Sequence, residues 1–166
     1  VLLLLIAFSL VGEYAHALAE EQDPEDGAGD GTKRIFVTER FIVGDFGSGG
    51  LGNADLFCNS DPAKPEEGKF AAVISDGVNR IAAPRSQQEQ WVLMANTKYI
   101  LPDETVIGTT NRNGVFAFPL TEAFGDAGQT VWTGMNFNWT SAITNCGRWS
   151  SRKTDKFGRF GNASST

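Results

Sequence analysis

Few side chains in this 166-residue chain are suited to acid–base, nucleophilic or metal chemistry. Histidine occurs once, at His16, and cysteine twice, at Cys58 and Cys146. His16 lies in a stretch read as a cleaved leader, so the rest of the chain has no imidazole. That excludes Ser-His-Asp and Cys-His nucleophile arrangements and histidine-ligated zinc. Two cysteines cannot build a four-thiolate zinc site. In an exported chain they would be oxidised, and a disulfide sulfur is not a nucleophile. No calcium loop of the Asp-x-Asp-x-Asp-Gly kind occurs. Acid–base work would fall to carboxylates, Tyr and Lys. A carboxylate pair assembled by folding is the enzyme reading left open. No catalytic residue, metal or cofactor is assigned.

One pattern imitates a cofactor site. Gly47-Ser-Gly49-Gly-Leu-Gly52 matches G-x-G-x-x-G, and Asp76 follows 24 positions after Gly52. A dinucleotide fold needs a strand running straight into such a loop, then repeated strand–helix alternation. Neither is legible here, so the segment reads as a tight structural loop.

The aromatic residues offer more. Trp132, Phe137, Trp139 and Trp149 fall within 18 residues and are interleaved with Asn136, Asn138 and Asn145. Aromatic faces beside amides suit sugar stacking or protein contact. Asn136, Asn138 and Trp139 are the candidate ligand-binding residues, with an extracellular protein or glycan as partner.

Charge and hydropathy divide the chain into parts. Val1 to Gly12 is apolar apart from Ser9, the length of a signal-peptide core and too short to span a bilayer. Ala17-Leu-Ala19 supplies a cleavage site, expected after Ala19. No initiator Met and no basic segment precede this run, so the sequence is expected to begin inside its reading frame. Residues 1–19 are thus read as a signal peptide without its start, the alternative being a short N-terminal core helix. Residues 20–33, opening Glu-Glu-Gln-Asp-Pro, hold no large apolar side chain and read as a disordered acidic linker. Seven acids and no base precede Lys33, so thirteen of each remain from Arg34 onward and the net charge of −6 belongs to the front end. A neutral domain gives no field for nucleic acid. The local basic excess from Arg148 to Arg159 reads as a solvated loop, or as a contact for an anionic glycan or phosphate.

The elements that must position these residues lie between 34 and 166. Strands are predicted at 34–38, 70–75, 115–118 and 131–134, and a short helix over 51–58. In the strand at 115–118, Phe116 and Phe118 would share one face and enter the core. One or two helices with several short strands and long loops make an α+β domain.

Several of these segments carry a resemblance. Gly49-Gly-Leu-Gly-Asn-Ala-Asp-Leu-Phe-Cys58 and Gly68-Lys-Phe-Ala-Ala-Val-Ile-Ser75 resemble the opening of endostatin-like domains. Val131-Trp-Thr-Gly134 and Cys146-Gly-Arg-Trp149 resemble that family's later strand and Cys-x-x-Trp segment. The whole order, with Arg34-Ile-Phe-Val-Thr38, is similar to an uncharacterised bacterial family, known mainly from spirochaete surface and secreted proteins and assigned a C-type-lectin-like fold. The resemblance implies that Trp132 and Trp149 are core residues. It also implies that Cys58 pairs with a cysteine of the closing strand, and Cys146 with one shortly before that strand. Neither partner precedes Thr166, so the domain is expected to lack its closing strand. The alternative is a Cys58–Cys146 bridge. Calcium-dependent sugar chemistry is not implied, because the Glu-Pro-Asn, Gln-Pro-Asp and Trp-Asn-Asp signatures are missing.

These readings converge on a secreted, periplasmic or cell-surface binding module, non-enzymatic, with no membrane span. The rivals are a carboxylate-based enzyme on the same scaffold and a purely structural surface domain.

Overall fold

The computed structural model describes the backbone of residues 3–4, 6–10 and 31–166, and side chains from residue 31 onward. Among the described residues eight strands form two sheets. They are β1 (Leu3–Leu4), β2 (Ile6–Leu10), β3 (Thr32–Val37), β4 (Lys69–Ala72), β5 (Lys98–Ile100), β6 (Val106–Thr109), β7 (Thr130–Trp132) and β8 (Phe160–Asn162). The larger sheet runs β4-β2-β3-β5-β6 and the smaller β1-β7-β8. The main helix, α1, spans Gly50–Asn59. The fold is mixed, with small sheets and long loops.

The run Phe70-Ala-Ala-Val-Ile74 explains the layering. All five residues are buried. Side chains alternate faces along extended chain, so an uninterrupted apolar run needs cover on both sides. Phe70, Ala72 and Ile74 enter one core with Ala54 and Cys58 of α1, Trp132 and Trp149. Ala71 and Val73 enter another with Leu93, Phe116, Val131 and Met135. The neighbours Ile35 and Phe36 split in the same way, as do Val131 and Trp132. One face of the sheet is therefore covered by a helix and the other by loops.

A two-point ion pair ties the helix to the sheet. Arg80 donates from Nη1 and Nη2 to the two carboxylate oxygens of Asp55, at 2.9 and 2.8 Å. Asp55 also accepts from the amide of Ala72, and Arg80 donates to its carbonyl. Both faces of the chain at Ala72 are thereby satisfied where the sheet meets α1.

Several sequence expectations change. The strand expected at 34–38 is β3 and begins at Thr32, so the last residues of the expected linker belong to the sheet. Most of that linker, and the expected cleavage site after Ala19, lie outside the described residues. Residues 3–4 and 6–10 of the apolar leader run as extended chain. Its residues 6–10 lie antiparallel between β3 and β4, with Phe8 opposite both Ile35 and Ala71. Residues 115–118 form no strand. Phe116 is buried, whereas Phe118 is 53% exposed, so the two do not share a core face. The helix expected over 51–58 is present within α1.

Candidate functional site

Asn136, Asn138 and Trp139 lie in one tight loop. The Met135–Ser141 bridge closes it, the amide of Asn136 bonds the carbonyl of Thr140 at 2.8 Å, and that of Trp139 bonds the carbonyl of Asn136 at 2.9 Å. The Asn138 carboxamide oxygen accepts from the Thr140 hydroxyl at 2.7 Å. Trp139 takes φ 67°, left-handed backbone that bulky residues seldom adopt. The turn drives the indole inward and leaves Phe137 outside, 91% exposed.

The three residues line one cleft of about 630 Å3, together with Phe118, Phe137 and Phe160. That volume falls within the ~300–1,000 Å3 of small-molecule sites. The side chains play unequal parts. Trp139 is anchored: its indole N–H donates to the Phe116 carbonyl at 3.0 Å, and Phe118 stacks on its ring. Trp91 meets it edge-on. Asn136 donates to the Thr140 hydroxyl at 3.1 Å. The freely presented surface is Phe137 with the half-exposed rings of Phe118 and Phe160. Sequence reasoning missed the last two. From sequence Phe118 is expected in the core, and Phe160 reaches the cleft only because β8 pairs with β7, placing it opposite Trp132.

Trp132 and Trp149 lie in the helix-side core with ring centroids 5.6 Å apart. The Trp149 indole donates to the Ser75 carbonyl at 2.9 Å. Beside it, Cys146–Trp149 makes one helical turn of unusual hand. All four residues have positive φ, between 49° and 62°. Left-handed backbone costs roughly 1–2 kcal/mol per residue other than glycine. The turn is held by Asn145, whose side chain accepts from the amide of Arg148 and donates to the carbonyl of Asp76. Gly134, at φ 62°, permits the close approach of this segment: a side chain there would meet the Ser75 carbonyl and the Trp149 ring.

Both cysteines are buried, unpaired thiols in the helix-side core. The Cys58–Cys146 bridge is not formed. Burial pushes the Cys58 thiol far up, with Asp55 and Asp61 adding to the effect. Burial, then Asp45, also raises Cys146.

The glycine-rich loop does not form a dinucleotide cradle. No strand leads into it, and Gly47–Gly49 is a single 3-10 turn before α1. Burial of Asp76 works against its charge, but the amides of Arg80, Val78 and Asn79 and the Asn79 side chain all donate to it, and its carboxyl lies below the usual range. It is engaged by its own loop. Among the described residues no cluster of His, Cys, Asp and Glu could hold a metal ion.

Comparison with known families decides the relationship. A domain described as a protein of unknown function, DUF1554, matches residues 40–166. The chain belongs to the DUF1554 family. No curated protein and no solved structure matches the chain. The DUF1554 region contains α1, the left-handed turn and every residue of the cleft. It leaves out β3, so the larger sheet extends beyond it. Among the described residues no helix is long and apolar enough to cross a membrane.

Proposed function

We propose that this chain is an exported, non-enzymatic binding module that holds an extracellular glycan in the Phe137 cleft without calcium, on an α+β domain of C-type-lectin-like kind. The observation that carries the reading is the cleft's lining. Exposed phenyl faces at Phe137, Phe118 and Phe160 alternate with the amides of Asn136 and Asn138. A sugar ring offers an apolar C–H face to the former and hydroxyls to the latter. Among the described residues no Asp or Glu lines the cleft, which favours binding over carboxylate catalysis. An extracellular protein is the rival ligand, because exposed aromatics also anchor protein interfaces.

The test is a screen of the whole chain against glycans and matrix proteins, with and without a calcium chelator. Glycan retention that persists in chelator and is lost in Phe137→Ala is the expected result. Calcium-dependent retention, or retention indifferent to Phe137, overturns the site. Failure on every ligand supports a structural surface domain instead. Export is tested by mass spectrometry of secreted material: a first residue at Glu20 is expected, and a retained Val1 refutes cleavage.

A further inference from the structure

The Phe118–Trp139 stack has a second space behind it. This inner cavity measures about 270 Å3 and is lined by Ile35, Val73, Leu93, Phe124 and Val131, among others. Both stacked rings, with Thr133, Met135 and Gly161, also line the outer cleft, so the same few residues divide the two spaces. Protein interiors seldom leave gaps larger than a water molecule. An apolar cavity of ~150 Å3 stays dry and takes up benzene. The space beside the cleft is larger, reaches the surface at the exposed Asn162 and Ser165, and is walled mostly by hydrocarbon.

The partition has one fixed and one movable ring. Trp139 is pinned by its bond to the Phe116 carbonyl and flanked by Trp91 and Phe116. Phe118 is half exposed, and among the described residues its one ring contact is Trp139. A rotamer change at Phe118 would join the two spaces. At the cleft's rim stands Arg159, exposed and without an acidic partner among the described residues. Asp45 and Asp155 are paired with Arg152 and Lys156.

We propose that cleft and cavity together take one amphiphile, a single acyl chain with an anionic head. The chain enters the inner cavity past Phe118, and the head lies against Arg159. This rests on the cleft being the binding face proposed above.

The chain contains two methionines, which makes the test direct. Met135 lines both spaces, whereas Met94 is exposed and lines neither. The whole chain, labelled with 13C at the methionine methyls, is titrated with octanoate and with neutral 1-octanol. The Met135 methyl should shift saturably with octanoate while Met94 stays still. Arg159→Gln should weaken octanoate about tenfold, equivalent to ~1.4 kcal/mol, and leave octanol unchanged. Leu93→Phe, which fills the inner cavity, should weaken both. If Leu93→Phe fails to fold, Arg159→Gln at its exposed site still decides. An unmoved Met135 at saturating octanoate, parallel unsaturable shifts of both methyls, or unaltered octanoate affinity in Arg159→Gln overturns the inference. Octanoate binding without any glycan ligand sinks the glycan reading alone. Glycan binding with no response to octanoate sinks this inference alone.

Discussion

Trp139 and Phe118 lie face to face, their ring centroids 5.9 Å apart and their planes 12° from parallel. The stack makes Trp139 part of the loop-side core and part of the cleft at once. A substitution there changes two things. Trp139→Ala should lower stability by about 2–3 kcal/mol, below the ~3–5 of a fully buried tryptophan, and weaken ligand binding as well. Phe137→Ala, at a side chain open to solvent, should change stability by less than about 0.5 kcal/mol and still weaken binding. Chemical denaturation and ligand titration of both variants check this. Equal stability loss in the two would refute the assigned division of labour.

The Arg80–Asp55 pair gives a second contrast. The Arg80 side chain is 7% exposed and its pair with Asp55 has two bonds, whereas Arg152, paired with Asp45, is 76% exposed. Breaking a buried pair strands the other charge and costs about 3–5 kcal/mol. A pair whose arginine is open to solvent contributes far less. Asp55→Ala should therefore shift the urea midpoint far more than Arg152→Ala. Similar midpoints would contradict the burial.

Asp76 sets an acid limb. Its folded carboxyl lies below the model-peptide value of 3.8, because the amides and side chain of its own loop outweigh the opposing effect of burial. The unfolded chain takes up its proton first as pH falls. The stabilisation is complete above the unfolded value and is lost as pH drops from there through the folded value. Asp76→Asn should flatten stability against pH across that acid window while leaving the neutral region's slope unchanged. A wild-type slope in the variant would show that other carboxylates carry the limb.

Cys58 and Cys146 should be slow to react with a thiol reagent in the native protein. Burial raises both and keeps them as thiols, and the thiolate is the reacting form. Two equivalents per chain should react once denaturant is added. Rapid native labelling would refute the burial, and no labelling in denaturant would show that both are oxidised.

A chain trimmed after Ala19 lacks β2, the strand between β3 and β4. It should unfold at lower denaturant, and amides of residues 32–37 and 69–72 that faced β2 should lose exchange protection. Protection equal to that of the untrimmed chain would show that another segment fills the gap.

The apolar run Phe70–Ile74 needs two-sided cover in any fold, and its composition alone marks it as a strand buried on both faces. The spacing of Leu51, Ala54 and Cys58 makes a one-faced helix in the same local way. The absence of histidine beyond His16 removes whole classes of chemistry before any folding is considered. The clustering of Asn136, Asn138 and Trp139 is likewise visible in one line of sequence, because the loop that holds them is closed by near neighbours. The rest depends on distant partners. Residues 6–10 have the composition of a leader, and only pairing with β3 and β4 makes them a strand. Phe116 and Phe118 obey the strand alternation, yet no partner strand forms there, so one ring is buried and the other is exposed. Phe160 and Arg159 reach the cleft because β8 pairs with β7, some thirty residues away in the chain. Hydrophobic pattern and local turns act over a few residues and can be read from the chain. A cleft is a space between segments, and tertiary contact alone decides which side chains border it.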